Sequence, residues 1–321
     1  MFKIKISLLI TISVIIFLIS IFVGSRIINP FYLNDIDREI LLSIRLPRAA
    51  VAFLMGTALG ASGAMLQGIL RNPLADPYIL GISSGASLLS ALGILSGLYS
   101  LGRFTMPITA FAGASIVSMI VGAFGWKRGG FWPERLLLAG VGLSFLFHAV
   151  LLLLISTSTN DVLRRSFLWM YGDLSMSDWS LIPYGLFFIA TGLHISIFRA
   201  KALNALILGD DFAYSLGFSV HRERLLLFIA VALMIAASVS LGGMIGFIGL
   251  LIPHIVRFFI GADSRVLIPA SAIGGGALLC TADLIGRLIM HPVEVPSGII
   301  TAIIGAPYFL YLLRRKDVLN I

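Results

Sequence analysis

Cysteine, charge and catalytic clusters are all scarce in this chain. Cys280 is the single cysteine in 321 residues, so neither a disulfide framework nor a cysteine-rich metal site can be built within it, and a small packing residue is expected there. The five histidines, His148, His194, His221, His254 and His291, show no His-Glu-x-x-His or paired ligand spacing, so no metal site and no catalytic residue is assigned. His148 falls within an apolar stretch and is read as a hydrogen-bonded or water-facing residue with no assigned role. No Gly-Lys dipeptide occurs, and a phosphate-binding loop needs glycines followed by Lys and Ser or Thr; any ATP-driven step must therefore use a separate subunit. Ionisable groups are almost missing from the apolar stretches, which disfavours the alternative of an ion-coupled secondary transporter. Asp283 is the exception, one turn before Arg287, where an i,i+4 ion pair is expected.

What is abundant is hydrocarbon. Hydrophobic residues make up 59% of the chain and charged residues 12%, with a mean hydropathy of +1.03. The solvent is lipid, and helices of about 20 apolar residues account for about ten spans with short connections. The expected segments are 6–24, 49–67, 78–98, 104–125, 136–156, 181–198, 225–241, 244–260, 266–286 and 297–313, in one membrane domain covering 1–321. The first is read as a span, since it is longer than a signal-peptide core and no cleavage-type site follows it. Around Leu241-Gly242-Gly243 and Pro253 a span broken by irregular, buried backbone is expected.

The net charge of +8 does not point to nucleic acid, because the cations lie between apolar segments instead of forming a basic face. Fifteen of the 23 Lys and Arg fall in segments that alternate to one side. The other eight, Arg26, Arg38, Arg45, Arg48, Arg103, Arg164, Arg165 and Arg287, fall on the opposite side. That bias places both termini in the cytoplasm and requires an even number of spans. Small residues recur four apart, as in Gly56/Gly60, Gly81/Gly85 and Gly242/Gly246, with a triple Gly274-Gly275-Gly276, and are read as close helix contacts.

Several stretches go beyond composition. Arg45-Leu46-Pro47-Arg48 precedes the second span. Ser62-Gly63-Ala64-Met65-Leu66-Gln67 leads into Arg71-Asn72-Pro73-Leu74-Ala75-Asp76-Pro77 and Leu80-Gly81-Ile82-Ser83-Ser84-Gly85-Ala86. Gly246-Phe247-Ile248-Gly249-Leu250 precedes Pro253-His254-Ile255-Val256-Arg257, and Glu294-Val295-Pro296-Ser297-Gly298 and Gly305-Ala306-Pro307 follow. Pro73 lacks an N–H and restricts the residue before it, so the second span should end near it. In order and spacing these stretches resemble the FecCD family of permeases, which includes vitamin B12, iron-siderophore and haem importers.

The resemblance implies an all-α, polytopic fold of about ten transmembrane helices, the type II ABC importer permease fold. It also implies an inner-membrane subunit that works as a homodimer with its path along the dimer interface. Its partners would be two ATPase subunits carrying ATP and Mg, and an extracytoplasmic binding protein; the subunit itself holds no cofactor and is not an enzyme. By motif position Asn72 and Leu74 inherit a cytoplasmic gate, while Trp132-Pro133-Glu134 departs from the family pattern and takes no gate role. Gly209, Asp210, Ala213, Leu216 and Gly217 fall in a segment resembling the family's coupling helix, which sits in a groove of the ATPase. Arg45, Arg48 and Arg287 correspond to arginines that meet acidic residues of the binding protein.

Overall fold

The computed structural model describes residues 2–24, 26–127, 130–157 and 171–314. Arg128, Arg164, Arg165, Arg315 and Lys316 of the charge count lie outside the described residues. Ten apolar helices match the expected segments one for one: α1 (Phe2–Phe22), α3 (Leu46–Ile69), α4 (Ile82–Leu95), α5 (Thr105–Gly125), α6 (Pro133–Ser156), α7 (Leu181–Leu208), α9 (Val220–Gly242), α10 (Ile248–Ile260), α11 (Ser264–Leu288) and α12 (Ser297–Arg314). Seven are long and apolar enough to cross a membrane, while α4, α10 and α12 are shorter. Among the described residues, two short helices, α2 (Asp35–Glu39) and α8 (Asp210–Ser215), lie between them. The link between α5 and α6 is a small antiparallel pairing of β1 (Trp126–Lys127) and β2 (Gly130–Phe131), the one departure from an all-helical reading among the described residues.

Helix α3 is the axis of the bundle: 78% of its apolar window is buried, against 17% for α1 and for α6 at the periphery. Lipid offers apolar contacts as good as those of leucine, so helices associate where small residues let backbones touch. A Cβ on Gly56 would lie 2.2 Å from the Gly275 carbonyl oxygen, one on Gly60 2.1 Å from that of Ser271, and one on Gly275 2.1 Å from that of Gly56. The α3–α11 contact is therefore backbone on backbone, the packing role expected of these glycines. The same device seats α4 on α5, where a Cβ on Gly113 would lie 2.3 Å from the Gly85 carbonyl oxygen.

The second span begins well before its expected start at residue 49. Asp35 to Ile69 form one helix of 35 residues, passing from α2 through a π-helical turn, Ile40–Arg45, into α3. Arg45 and Arg48 looked like boundary charges, but both are buried and satisfied inside the chain, so they do not end a helix. A π turn frees a carbonyl from the regular ladder, and Trp179 Nε1 donates to the Leu42 oxygen at 2.7 Å.

The broken span is also present. Between α9 and α10 the backbone of residues 243–247 is non-helical and mostly buried. Gly242 packs beside Met55 of α3, whereas Gly249 lies against Gly63, eight residues further along α3. Extended backbone covers that step of about 12 Å in five residues, where a helix would need about eight. The chain re-enters the helix at Phe247, whose φ of 68° is left-handed without the freedom of glycine.

Replacing Gly56 or Gly275 by Val sets a side chain against backbone that cannot repack, so the loss should exceed the about 1–3 kcal/mol of ordinary core overpacking. Val at Gly97, where a Cβ meets nothing within 4 Å, serves as a steric control although its φ of 73° adds backbone strain. Monodisperse yield in detergent size-exclusion chromatography should fall far more for either packing variant than for the control; equal yields would remove the contact from its central place.

Candidate functional site

Polar groups gather at the two ends of the bundle and around one cavity between them. At the first end, Asp283 of α11 is buried and shared by two guanidinium groups. Arg48 Nη2 lies 2.9 Å from Asp283 Oδ1, and Arg287 Nε lies 3.1 Å from Oδ2, the i,i+4 pair expected from sequence. The Ser297 hydroxyl donates to the same carboxylate at 3.2 Å. Arg48 also holds Glu294 at 2.7 Å, and that carboxylate is 47% exposed. Arg287 Nη2 donates to the Ser20 carbonyl at 2.8 Å, and Arg45 donates to the carbonyls of Phe22, at 2.9 Å, and Arg26. Two cations thus complete the C-terminal carbonyls of α1, where the helix dipole favours positive charge. The three arginines assigned to docking are accordingly not free surface cations: their guanidinium groups are engaged inside the chain, and reversing Arg48 would test the fold before any docking.

At the opposite end, α3 stops ahead of Pro73 through a Schellman motif. The Asn72 N–H donates to the Gln67 carbonyl at 3.1 Å and the Arg71 N–H to that of Gly68 at 3.3 Å, with Arg71 left-handed at φ 48°. Asn72 Oδ1 then accepts from the Leu74 N–H at 2.9 Å, which closes the loop after α3 into a tight turn. Gln67 joins two motifs far apart in sequence: it accepts from Arg257 Nη2 at 2.9 Å and donates to the Gly249 carbonyl at 3.3 Å.

The segment between Gly209 and Gly217 is a short helix set between two glycines, the local form expected from sequence. Gly209, at φ 138° and ψ 154°, occupies backbone space open essentially to glycine alone. Gly217, at φ 82°, is the left-handed residue of a second Schellman motif, in which the Phe218 N–H reaches the Ala213 carbonyl at 3.1 Å. Ala213 is fully buried within the chain, so this member of the set cannot face a partner; its methyl packs α8 onto the bundle. Phe212, Tyr214 and Leu216 are the exposed apolar side chains here, of which the sequence reading had only Leu216. Asp210 bridges Arg71 and Arg224, the latter at 2.6 Å.

Between the ends lies a cavity of about 600 Å³, lined mainly by apolar groups. Leu74 and Asp76 of the loop after α3, Met244 and Phe247 of the broken span, His148 of α6 and Ala302 of α12 all face it. His148 Nδ1 is 2.8 Å from the Ser144 carbonyl, so it is both hydrogen-bonded and cavity-lining, in keeping with its reading. Asp76 caps the turn Pro77–Leu80, accepting from the Tyr78 N–H at 2.7 Å. Burial pushes its carboxyl up to about 6, against the pull of the N–H groups of Tyr78, Leu250 and Phe247. Asp76 and Arg71 stood within a quoted motif without a role, and a charge adjoining the Pro77 turn was the available signal. Arg224 gave none.

The FecCD transport family model matches residues 9–315. The hemin transport system permease protein HmuU of Yersinia pestis is 40% identical over 287 residues, covering 88% of this chain and 85% of that protein. The cobalamin import system permease protein BtuC of Halobacterium salinarum is 41% identical over 288 residues, covering 90% and 77%. Among solved structures, one described as a metal-chelate type ABC transporter in an inward-facing conformation superposes with a TM-score of 0.85 at 29% identity, covering 96% of this chain and 98% of that one.

Two measurements follow from this geometry. Asp283→Ala strands two buried cations and should cost about 3–5 kcal/mol in an unfolding equilibrium, whereas Glu294→Ala, removing an exposed partner, should cost under about 1 kcal/mol; comparable losses would contradict the burial argument. For Asp76, a folded value raised above the ordinary value of about 3.9 means that the native state holds its proton longer, so its stabilisation is lost as pH rises through about 6. Wild type and Asp76→Asn should show a constant difference in melting temperature below about pH 4, and wild type should then lose ground until about pH 7. Parallel melting curves across that window would remove Asp76 as the titrating group.

Proposed function

The chain belongs to the FecCD transport family, and from that premise we propose that it is the permease subunit of an ABC importer for a bulky metal chelate such as haem, cobalamin or a ferric siderophore. The subunit works as a homodimer of single-domain chains, 1–321, in the inner membrane, with both termini cytoplasmic. Two ATPase subunits engage the α8 end, and an extracytoplasmic binding protein docks at the Arg48 end. The observation that carries the reading is the apolar cavity bounded by the gate loop on one side and the broken span on the other. Its lining suits a large ligand that is moved and not retained, since few polar groups converge on any one point.

The residues take their roles from this arrangement. Asn72 and Leu74 form the cytoplasmic gate, with Leu74 on the cavity wall and Asn72 fixing the turn that presents it. Gly209 and Gly217 delimit the coupling helix, Asp210 anchors it, and Leu216 with Phe212 and Tyr214 supplies the surface for the ATPase. Arg45, Arg48 and Arg287 brace the docking face, where Arg48 shares its outer edge with exposed Glu294. Substrate passes by alternate closure of an inner and an outer gate, with ATP binding and hydrolysis on the partner shifting the populations. Asp283, the carboxylate singled out within the spans, is committed to two guanidinium groups.

Proteoliposomes holding this chain and its co-purified ATPase should accumulate one of three probes, haem, cyanocobalamin or a ferric hydroxamate, when loaded binding protein and ATP-Mg are supplied. Uptake should vanish when the phosphate-loop lysine of the ATPase is replaced and should survive a protonophore. Uptake that persists with the disabled ATPase and collapses under the protonophore would overturn the proposal in favour of an ion-coupled carrier.

A further inference from the structure

Asp210 has a position that the coupling role of α8 does not by itself require. Its Oδ1 takes two cations at once: Arg71, which ends α3, and Arg224, which begins α9, at 2.6 Å. Arg224 is buried, with only 4% of its side chain exposed, and Asp210 is the acidic partner it reaches. Arg71 is bound on a second side as well, its Nε donating to the Leu206 carbonyl at 2.7 Å in the last turn of α7. The guanidinium therefore spans Gly209, holding the residue just after that glycine and the helix just before it. Arg71 is also the left-handed residue of the turn that continues directly into Asn72, Pro73 and Leu74.

We propose that Asp210 and Arg71 form a positioning link that carries displacement of α8 directly into the gate loop. The inference rests on the ATPase-coupled reading given above. From the exposed face of α8 to Leu74 the path runs through a hydrogen-bonded contact at each step. Phe212 and Tyr214 lie with Asp210 in the six-residue helix α8, Leu216 caps it, and the ion pair joins that helix to Arg71. Beyond Arg71, Pro73 has a fixed φ and Asn72 Oδ1 binds the Leu74 N–H at 2.9 Å. The glycines at 209 and 217 flank this path without interrupting it. Asp210 and Arg71 are 42% and 38% exposed at their side chains, so their pair adds little to stability. Its value lies in geometry, because one carboxylate fixes the ends of three spans to the helix that a partner would push.

The test uses the permease–ATPase complex in nanodiscs, with Leu74→Cys as the parent and a copper phenanthroline oxidation as readout. In the parent, the yield of the crosslink between the two copies should change at least about fivefold between nucleotide-free and ATP-Mg states, the lower end of ordinary coupling. In Arg71→Gln on that background the change should fall below about twofold while the ATPase still co-purifies, and Arg71→Lys should restore part of it. Asp210→Asn should behave as Arg71→Gln does, and the double variant should be no worse than either single one. Asp210→Asn leaves Arg224 buried without a carboxylate and can fail to fold, so the Arg71 variants decide. A parent that responds to nucleotide together with an equally responsive Arg71→Gln overturns the link alone. A parent that shows no response in any state overturns the gate reading and the link with it.

Discussion

The contact on which the rest of the molecule depends is the meeting of α3 and α11 through bare backbone. Hydrocarbon surroundings give helices no gain from burying leucine, so association must come from dispersion at close range and from satisfied polar groups. Gly56, Gly60, Ser271 and Gly275 supply the first, since none of the three glycines has room for a Cβ. Once α3 is seated there, its two ends are fixed in space, and each carries a charged cluster. Arg48 at one end reaches Asp283 on α11 itself, while Arg71 at the other reaches Asp210.

Those clusters solve the same problem in different ways. A charge in a membrane protein must be paired or sit at an aqueous boundary. At the Arg48 end the arginines are taken inward, to Asp283 and to the open carbonyls at the end of α1, which ties the first span to the axis of the bundle. At the Asp210 end the pairing is more exposed and lies beside a six-residue helix with a glycine on each side. The loop carrying Leu74 and the broken span both line the cavity beside this end. Irregular backbone is tolerated here because residues 243–247 are mostly buried in protein, with Met244, Gly246 and Phe247 facing the cavity.

Hydrophobic runs, small-residue spacing and the Lys/Arg pattern made ten helical segments, the packing role of Gly56, and the break after Gly242 legible from sequence, because each is a local consequence of the solvent. Gly209 and Gly217 were legible as the two glycines that bracket a short helical stretch, and the structure adds that both take positive φ. The limits of such reading are equally specific. Arg45 and Arg48 were placed at a surface because a charge in sequence marks a boundary unless a partner is known, and their partners are Asp283, 235 positions along the chain from Arg48, and the backbone of α1. Ala213 was grouped with its neighbours on a coupling surface, yet successive residues of a helix point about 100° apart, and this one faces the bundle.

The sequence by itself determined that the chain is an all-helical membrane protein of about ten segments and, through its ordered motifs, which family it belongs to; composition and local spacing carry that information without any knowledge of contacts. Tertiary structure alone decided which charges are spent internally, which apolar side chains of α8 stay exposed, and that Arg71 at the end of α3 holds Asp210 on α8. The reason is physical: a side chain's hydrogen-bonding needs are known from its identity, but the partner that meets them is set by the crossing of helices far apart in sequence.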